Sequence, residues 1–294
     1  MDRRRYLQAL GVGGALSLTG CLGGSDGSSA AIADQTLTVA AATTVNDSGL
    51  LGDLSAGFED AFGTTVRAVV RGTSAALRTA RDGNCDVVFV HARPLEDEFL
   101  RAGYGVNRRA VMVNDFLVVG PSDNPAGAAG SDPLAAFRAI AASDATFLSR
   151  GDRSGTHVRE RRLWDEAGVE PTGNWYRETG QGMGATLIAA GETGAYTLVD
   201  RGTFLNTETG LAAHVARGLD DPPDLLRNEY AVIPTNPARH DVAYALAMAF
   251  VGYLTGPGQG RIEAFRVDGE RAFRPLARSE EPEFDQYVPS DWAP

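Results

Sequence analysis

Phe147-Leu148-Ser149-Arg150-Gly151-Asp152-Arg153-Ser154-Gly155-Thr156-His157 reads as a short apolar strand, a turn and the start of a helix that continues through Glu160 and Leu163 to Ala167. A strand-to-helix junction leaves the first backbone N–H groups of the helix without intrahelical acceptors, and the helix dipole makes that end partly positive. Arg150, the hydroxyls of Ser149, Ser154 and Thr156, and a glycine that lets backbone approach closely complete a socket built of donors. Such a socket suits an oxyanion. An ordinary helix capped by Asp152 or Ser154 uses the same residues, so the rest of the chain has to decide between the two.

Working towards the N-terminus, the chain alternates strand and helix signals, the pattern of an α/β fold with parallel sheets. Thr36 to Ala41 is a first strand and runs into the hydroxyl-rich loop Thr43-Thr44-Val45-Asn46-Asp47-Ser48-Gly49, after which Leu50, Leu51, Leu54 and Phe58 recur at helical spacing. Val66 to Val70 is a second strand, and Arg71-Gly72-Thr73-Ser74 is another donor-rich loop opening a helix through Leu77 and Arg81. Asp86 to Val90 is a third strand, almost wholly apolar and so buried on both faces. In open α/β sheets ligands bind outside the carboxyl ends of strands, where these loops gather.

Ala110 to Gly120 is a long extended run, expected to cross between two lobes, and Pro121 to Gly130 has the Gly, Pro and Asp content of a linker. The second lobe is expected to begin with a helix from Pro133 to Ala142 and a strand from Thr146 to Ser149. Gly180-Gln181-Gly182-Met183-Gly184 opens another helix, but no G-x-G-x-x-G follows a strand there, which argues against a dinucleotide site. Ala195 to Gly202 is a strand with a polar exit. Near Asn228 the chain returns: Glu229 to Pro234 is extended, and helices follow at Val242 to Leu254 and Gly256 to Phe265. The acidic, Pro-containing stretch from Ala277 is expected to be solvated.

With 294 residues, two lobes are the natural expectation. There are 27 basic and 38 acidic residues, giving a net charge of −11, and every basic residue is Arg. An acidic, lysine-free surface argues against nucleic acid as a partner and resembles the proteins of salt-loving archaea. Asp2-Arg3-Arg4-Arg5-Tyr6-Leu7, the apolar run Leu10 to Leu18, and Leu18-Thr19-Gly20-Cys21 resemble a twin-arginine export signal ending in a lipobox. Cys21 is then the lipidated residue, and Gly23 to Ser29 a flexible tether. This order of features predicts an extracytoplasmic protein, lipid-anchored at the outer face of the cytoplasmic membrane. With Cys21 so used, Cys85 has no disulfide partner and is expected to be a small buried residue. His91, His157, His214 and His240 show no metal-ligand spacing, so neither metal nor cofactor is expected.

These residues together resemble the solute-binding proteins of tungstate ABC importers, the TupA type. The resemblance is carried by Thr43-Thr44-x-x-x-Ser48-Gly49-Leu50-Leu51, Asp86 to Ala92, Val113 to Pro121, Ser149 to His157, Leu163-Trp164, Trp175-Tyr176, Gly180 to Gly184 and Ala195 to Gly202. Val45 stands where that family commonly has a hydroxyl, and Gly72-Thr73-Ser74 where it has Gly-Thr-Gly. The resemblance implies an α/β type II periplasmic-binding-protein fold, with two lobes joined by two crossover strands and the anion between them. The implied division is signal 1–21, tether 22–33, first lobe 34–118 plus 232–276, second lobe 119–231 and C-terminal tail 277–294. It also implies a monomer that delivers tungstate, or the closely similar molybdate, to a membrane permease, and no enzymatic activity.

Tungstate at neutral pH carries no proton, so its site should offer donors and few acceptors. The candidates are the hydroxyls and amides of Thr43, Thr44, Ser48, Thr73, Ser74, Ser154, Gly155 and Thr156, with the guanidinium of Arg150. An acceptor aimed at the anion would favour a protonated phosphate, so Asp152 is expected to face away, pairing with Arg150 or capping the helix. His157, Trp164, Trp175 and Tyr176 are read as structural. Phosphate or sulfate binding on the same fold, a surface sensor, and a serine hydrolase using Ser154 and His157 are the alternatives. The hydrolase is disfavoured because Gly151-Asp152-Arg153-Ser154-Gly155 is not G-x-S-x-G, and residues three apart at a helix start do not readily form a nucleophile–base pair.

Overall fold

The computed structural model describes residues 32–143, 145–278, 286, 287 and 289. The stretch expected to be an export signal, Cys21, most of the expected tether and most of the acidic tail lie outside these residues.

The described chain opens with β1 (Thr36–Ala42), the short α1 (Thr43–Asp47), α2 (Leu50–Phe62), β2 (Thr65–Arg71), α3 (Thr73–Arg81), β3 (Val87–Val90) and α4 (Arg93–Arg101). β1 pairs with β2 on one side and β3 on the other, both in parallel. In β3 the residues alternate between two cores. Val87 and Phe89 join Leu54, Phe58, Phe250 and Leu254 on one face, while Val88 and Val90 join Ala76, Leu77 and Phe99 on the other. Helices cover both faces, which is why this strand carries no polar residue.

Residues 43–49, expected as a loop, contain the one-turn helix α1. Gly49 at φ 84° then breaks the path and lets α2 start in a new direction. A side chain at that φ would be strained, so glycine is required there.

β4 (Arg109–Gly120) is the long crossover strand, buried from Ala110 onward. Its first half pairs antiparallel with the start of the first lobe's return, and its second half with strands of the second lobe. The second lobe holds α5 (Pro133–Ala142), β5 (Phe147–Ser149), α6 (Gly155–Ala167), β6 (Tyr176–Glu178), α7 (Met183–Thr193), β7 (Thr197–Asp200), α8 (Arg201–Leu205) and β8 (Ala212–Val215). Its core is aromatic: Phe137 and Trp164 have ring centroids 4.2 Å apart, with Phe147 and Tyr196 beside them. Trp175 and Tyr176 pack against the same cluster.

β9 (Arg227–Pro234) is the second crossover and pairs antiparallel with both β3 and β4. α9 (Tyr244–Thr255), α10 (Gly258–Ala264), the small β10 (Arg266–Val267) and β11 (Glu270–Arg271), and β12 (Arg274–Pro275) complete the first lobe. The sheet order β12-β4-β9-β3-β1-β2 is therefore mixed, not wholly parallel as the alternation suggested. Two strands that cross between lobes in opposite directions must meet antiparallel. Among the described residues of the stretch expected to be solvated, Gln286 is held by the first lobe. The Gln286 carbonyl accepts from Arg108 Nη1 at 2.7 Å, and its side-chain oxygen accepts from Ala110 N at 3.1 Å.

No described helix is long and apolar enough to cross a membrane. Cys85 is free and buried, and burial pushes its thiol up to about 12.

Candidate functional site

Four helix starts meet where the lobes face each other. β1 and β2 lie in register, Ala42 beside Arg71, so α1 and α3 begin side by side at the carboxyl end of the sheet. Gly72 begins α3. A Cβ placed on it would come within 2.9 Å of Asp152 Oδ2, 3.4 Å of Ser154 Cβ and 3.5 Å of Arg150 Nη2, so α3 abuts the start of α6. A Cβ on Gly155 would come within 2.6 Å of the His91 carbonyl oxygen. A Cβ on Gly182, which begins α7, would come within 3.5 Å of Thr43 Cγ2. Glycines at these three positions let the two lobes approach to backbone contact.

The first N–H groups of each helix have no intrahelical acceptor. α1, α3 and α7 begin at Ala42, Gly72 and Gly182 with no side-chain cap. α6 is capped by Ser154, whose Oγ accepts from His157 N at 3.3 Å.

Among the described residues, nine buried side-chain nitrogen or oxygen atoms have no hydrogen-bond partner. Five of them belong to four residues at these helix starts: Thr43 Oγ1, Thr73 Oγ1, Thr156 Oγ1, and Nε and Nη1 of Arg150. An unsatisfied buried donor costs about 1–3 kcal/mol, so a cluster of five marks a place built for something else to pair with. Arg150 is only 2% exposed. Its Nη2 donates to Asp152 Oδ2 at 2.7 Å, and Asp152 Oδ1 accepts from Ser154 N at 3.0 Å. Both oxygens of Asp152 are thereby engaged, one by the arginine and one by the helix start, and two nitrogens of the paired arginine keep their N–H groups free.

The nine residues proposed from the sequence thus divide. Thr43, Thr73, Arg150 and Thr156 converge with unpaired side-chain atoms, and Ser154 and Gly155 sit with them at the start of α6. Three hydroxyls already have protein partners. Thr44 Oγ1 lies 3.2 Å from His91 Nε2. Ser48 Oγ donates to the Val45 carbonyl at 2.9 Å. Ser74 Oγ accepts from Arg78 Nη1 at 2.8 Å, one turn along the outer face of α3. These three hydroxyls therefore have local partners, although Ser74 Oγ, an acceptor in its pair, keeps its own proton to donate.

Two buried groups next to the site were not legible as such. His91 is fully enclosed, stacks on Tyr230 with centroids 4.8 Å apart, and burial pushes it down to about 4. Glu160 accepts from the Ser149 hydroxyl at 2.7 Å, the Tyr176 hydroxyl at 2.8 Å and Trp164 Nε1 at 3.2 Å. It anchors the strand end that carries Arg150, and burial pushes its carboxyl up to about 7.

The hydrolase alternative fails on geometry. The His157 ring accepts from Arg153 N through Nδ1 at 3.0 Å, and Ser154 Oγ faces the His157 backbone N–H, not its ring. No group of three or more His, Cys, Asp or Glu among the described residues could hold a metal ion.

A family profile describing a PBP superfamily domain matches residues 28–257. The chain belongs to the PBP superfamily. A protein of Haloferax volcanii, named for anion binding in an ABC transporter, is 50% identical, with 99% of this chain and 91% of that protein covered. A tungstate-binding protein TupA of Peptoclostridium acidaminophilum is 38% identical over 77% of this chain and 80% of its own length. Among solved structures, the tungstate ABC transporter protein of Geobacter sulfurreducens superposes with a TM-score of 0.70. It is 44% identical, covering 76% of this chain and 95% of that one. This PBP superfamily chain is a binding protein, not an enzyme.

Proposed function

We propose that this protein is the extracytoplasmic solute-binding component of an ABC importer, capturing tungstate between its lobes and presenting the closed form to a membrane permease. The observation that carries this reading is the cluster of five unpaired polar atoms on Thr43, Thr73, Thr156 and Arg150. They belong to helix starts contributed by both lobes, so an anion between them would bind the closed form better than the open one. In this reading the backbone N–H groups opening α1, α3, α6 and α7 supply further donors, including those of Thr44, Ser74 and Gly155. Ser48 serves only as a local cap. The lobes divide near residues 118 and 231.

The donor balance supports a fully deprotonated dianion. Arg150 can only donate, and both oxygens of Asp152 are already engaged, one by that arginine and one by the helix start. Hydrogen phosphate would have to bury its O–H against this set, whereas tungstate, molybdate and sulfate would not. The relatives named for tungstate favour the larger anions within that class. Cys21 and the preceding signal further suggest a lipid anchor.

Calorimetric titration of residues 22–294 in high KCl tests the assignment, with tungstate, molybdate, sulfate and phosphate added separately. The expected result is tight one-to-one binding of tungstate with phosphate silent. A folded sample silent towards all four anions would overturn it.

A further inference from the structure

A line of buried side chains passes through both crossover strands and ends at the site. Asp200 caps α8, accepting from Thr203 N at 3.0 Å and from the Thr203 hydroxyl at 2.7 Å. Its Oδ1 also faces Asn114 Nδ2 at 3.4 Å. An ionised carboxylate only accepts, so the Asn114 amide must turn its nitrogen to Asp200 and its oxygen to Asn228. Asn228 is the cross-strand neighbour of Asn114, and its Nδ2 donates to Asn114 Oδ1 at 2.8 Å. The same nitrogen donates to the Tyr230 hydroxyl at 2.9 Å. Asn228 Oδ1 is thereby left facing His91 Nδ1 at 2.8 Å.

An amide oxygen cannot donate, so the His91 proton sits on Nδ1. The buried ring is neutral at pH 7, leaving Nε2 as a bare acceptor. The partner of Nε2 is Thr44 Oγ1, which must therefore direct its proton at the histidine. That accounts for a contrast between neighbours: the Thr43 hydroxyl is unpaired and the Thr44 hydroxyl is not. His91 also touches the other lobe, because the start of α6 rests against its ring and carbonyl at Gly155.

We propose that His91 is a positioning residue for the anion site, which the relay Asp200–Asn114–Asn228–His91 holds in one tautomer so that it fixes the orientation of Thr44 and seats the α6 start against the first lobe. The proposal rests on the anion-binding reading above. It assigns Thr44 to the site through its backbone N–H, and it places the anion-contacting hydroxyl of α1 on Thr43 alone. It also gives the paired asparagines of the crossover strands a task, since they carry the orientation of a second-lobe cap to a first-lobe helix start.

Two measurements test it. Nitrogen-15 NMR of histidine-labelled protein without anion, with His91→Gln used to assign the signal, should show His91 protonated at Nδ1 alone at pH 7. Protonation at Nε2 would overturn the relay. Titration with tungstate should show His91→Ala weakened at least tenfold, and His91→Gln, whose amide can still accept from Thr44, restored to within about threefold of the parent. The melting temperature of each anion-free variant, read alongside, separates lost orientation from lost folding. An unchanged affinity in His91→Ala would overturn the proposal while leaving the anion site intact. A parent protein silent to all four oxyanions would overturn the anion reading itself, and the tautomer would still decide the relay.

Discussion

At the scale of the residue, Arg150 combines a fixed charge with geometry that only the fold supplies. Asp152 occupies Nη2 and holds the guanidinium still, while Nε and Nη1, whose N–H groups point to different sides of it, remain without protein partners. Hydrogen bonds to charged groups are worth about 1.5–3 kcal/mol each, so Arg150→Ala should weaken tungstate binding at least a hundredfold by calorimetry. Arg150→Lys should recover little, because a single flexible ammonium does not reproduce several donors fixed on one rigid plane. Glu160 governs a different property. Its carboxyl is raised from 4.5 to about 7, so the unfolded chain releases that proton first and folding becomes less favourable as pH rises between those values. The integrated cost is about 3 kcal/mol at one pKa unit per 1.36 kcal/mol. Urea unfolding of the parent and of Glu160→Gln from pH 4.5 to 7.5 should show the difference between them shrinking or reversing in the parent's disfavour as pH rises. A constant difference would exclude Glu160 as the titrating group.

At the scale of the element, the site consists of helix starts brought to one place by strand register. α1 and α3 follow neighbouring parallel strands, and α6 and α7 reach them from the other lobe. In the proposed reading, small residues at the contacts are therefore part of the binding device. Gly155→Ala would put a methyl within 2.6 Å of the His91 carbonyl oxygen, and backbone cannot yield as a flexible side chain can. This variant should remain folded, because α6 keeps its Ser154 cap and its packing on Trp164, yet bind tungstate at least tenfold more weakly. Affinity equal to the parent would show that the α6 start does not need to seat there. The helical pattern of α6 was readable in the sequence, as were the crossover strand β4 and the donor loops after β1 and β2. Which way each hydroxyl turns was not. Ser74 and Thr73 are adjacent in sequence, but the roughly 100° step between successive helix residues turns Ser74 to Arg78 and leaves Thr73 buried and unpaired.

At the scale of the whole molecule, two lobes with separate cores share two long strands, and the groups proposed to bind the ligand are divided between the lobes. A ligand held only by the closed arrangement adds its binding energy to the stability of that form. At a free concentration 100 times Kd this amounts to about 2.7 kcal/mol. For a chain of this size the melting temperature should then rise by roughly 5–10 °C with tungstate and stay unchanged with phosphate. Small-angle scattering should show a smaller radius of gyration with tungstate than without. An anion that raises the melting temperature without compacting the molecule would argue for binding to one lobe alone.

What the chain's own order of residues determined was local and periodic. Alternating strands and helices, the hydroxyl-rich turns between them and the Ser-Gly-Thr helix start with its nearby Arg were enough to predict an α/β binding fold and an oxyanion socket. The pairing of Arg150 with Asp152 could be argued in advance because the two residues are close in sequence and opposite in charge. His91 could not be found in this way. It ends a buried apolar strand with nothing polar beside it, and its partners Thr44 and Asn228 lie 47 and 137 residues away. Nor could sequence divide the hydroxyls into those left unpaired and those that close hydrogen bonds within the protein. That division depends on which donors still lack an acceptor after every other buried group has found one, and such accounting exists only once distant segments are packed together.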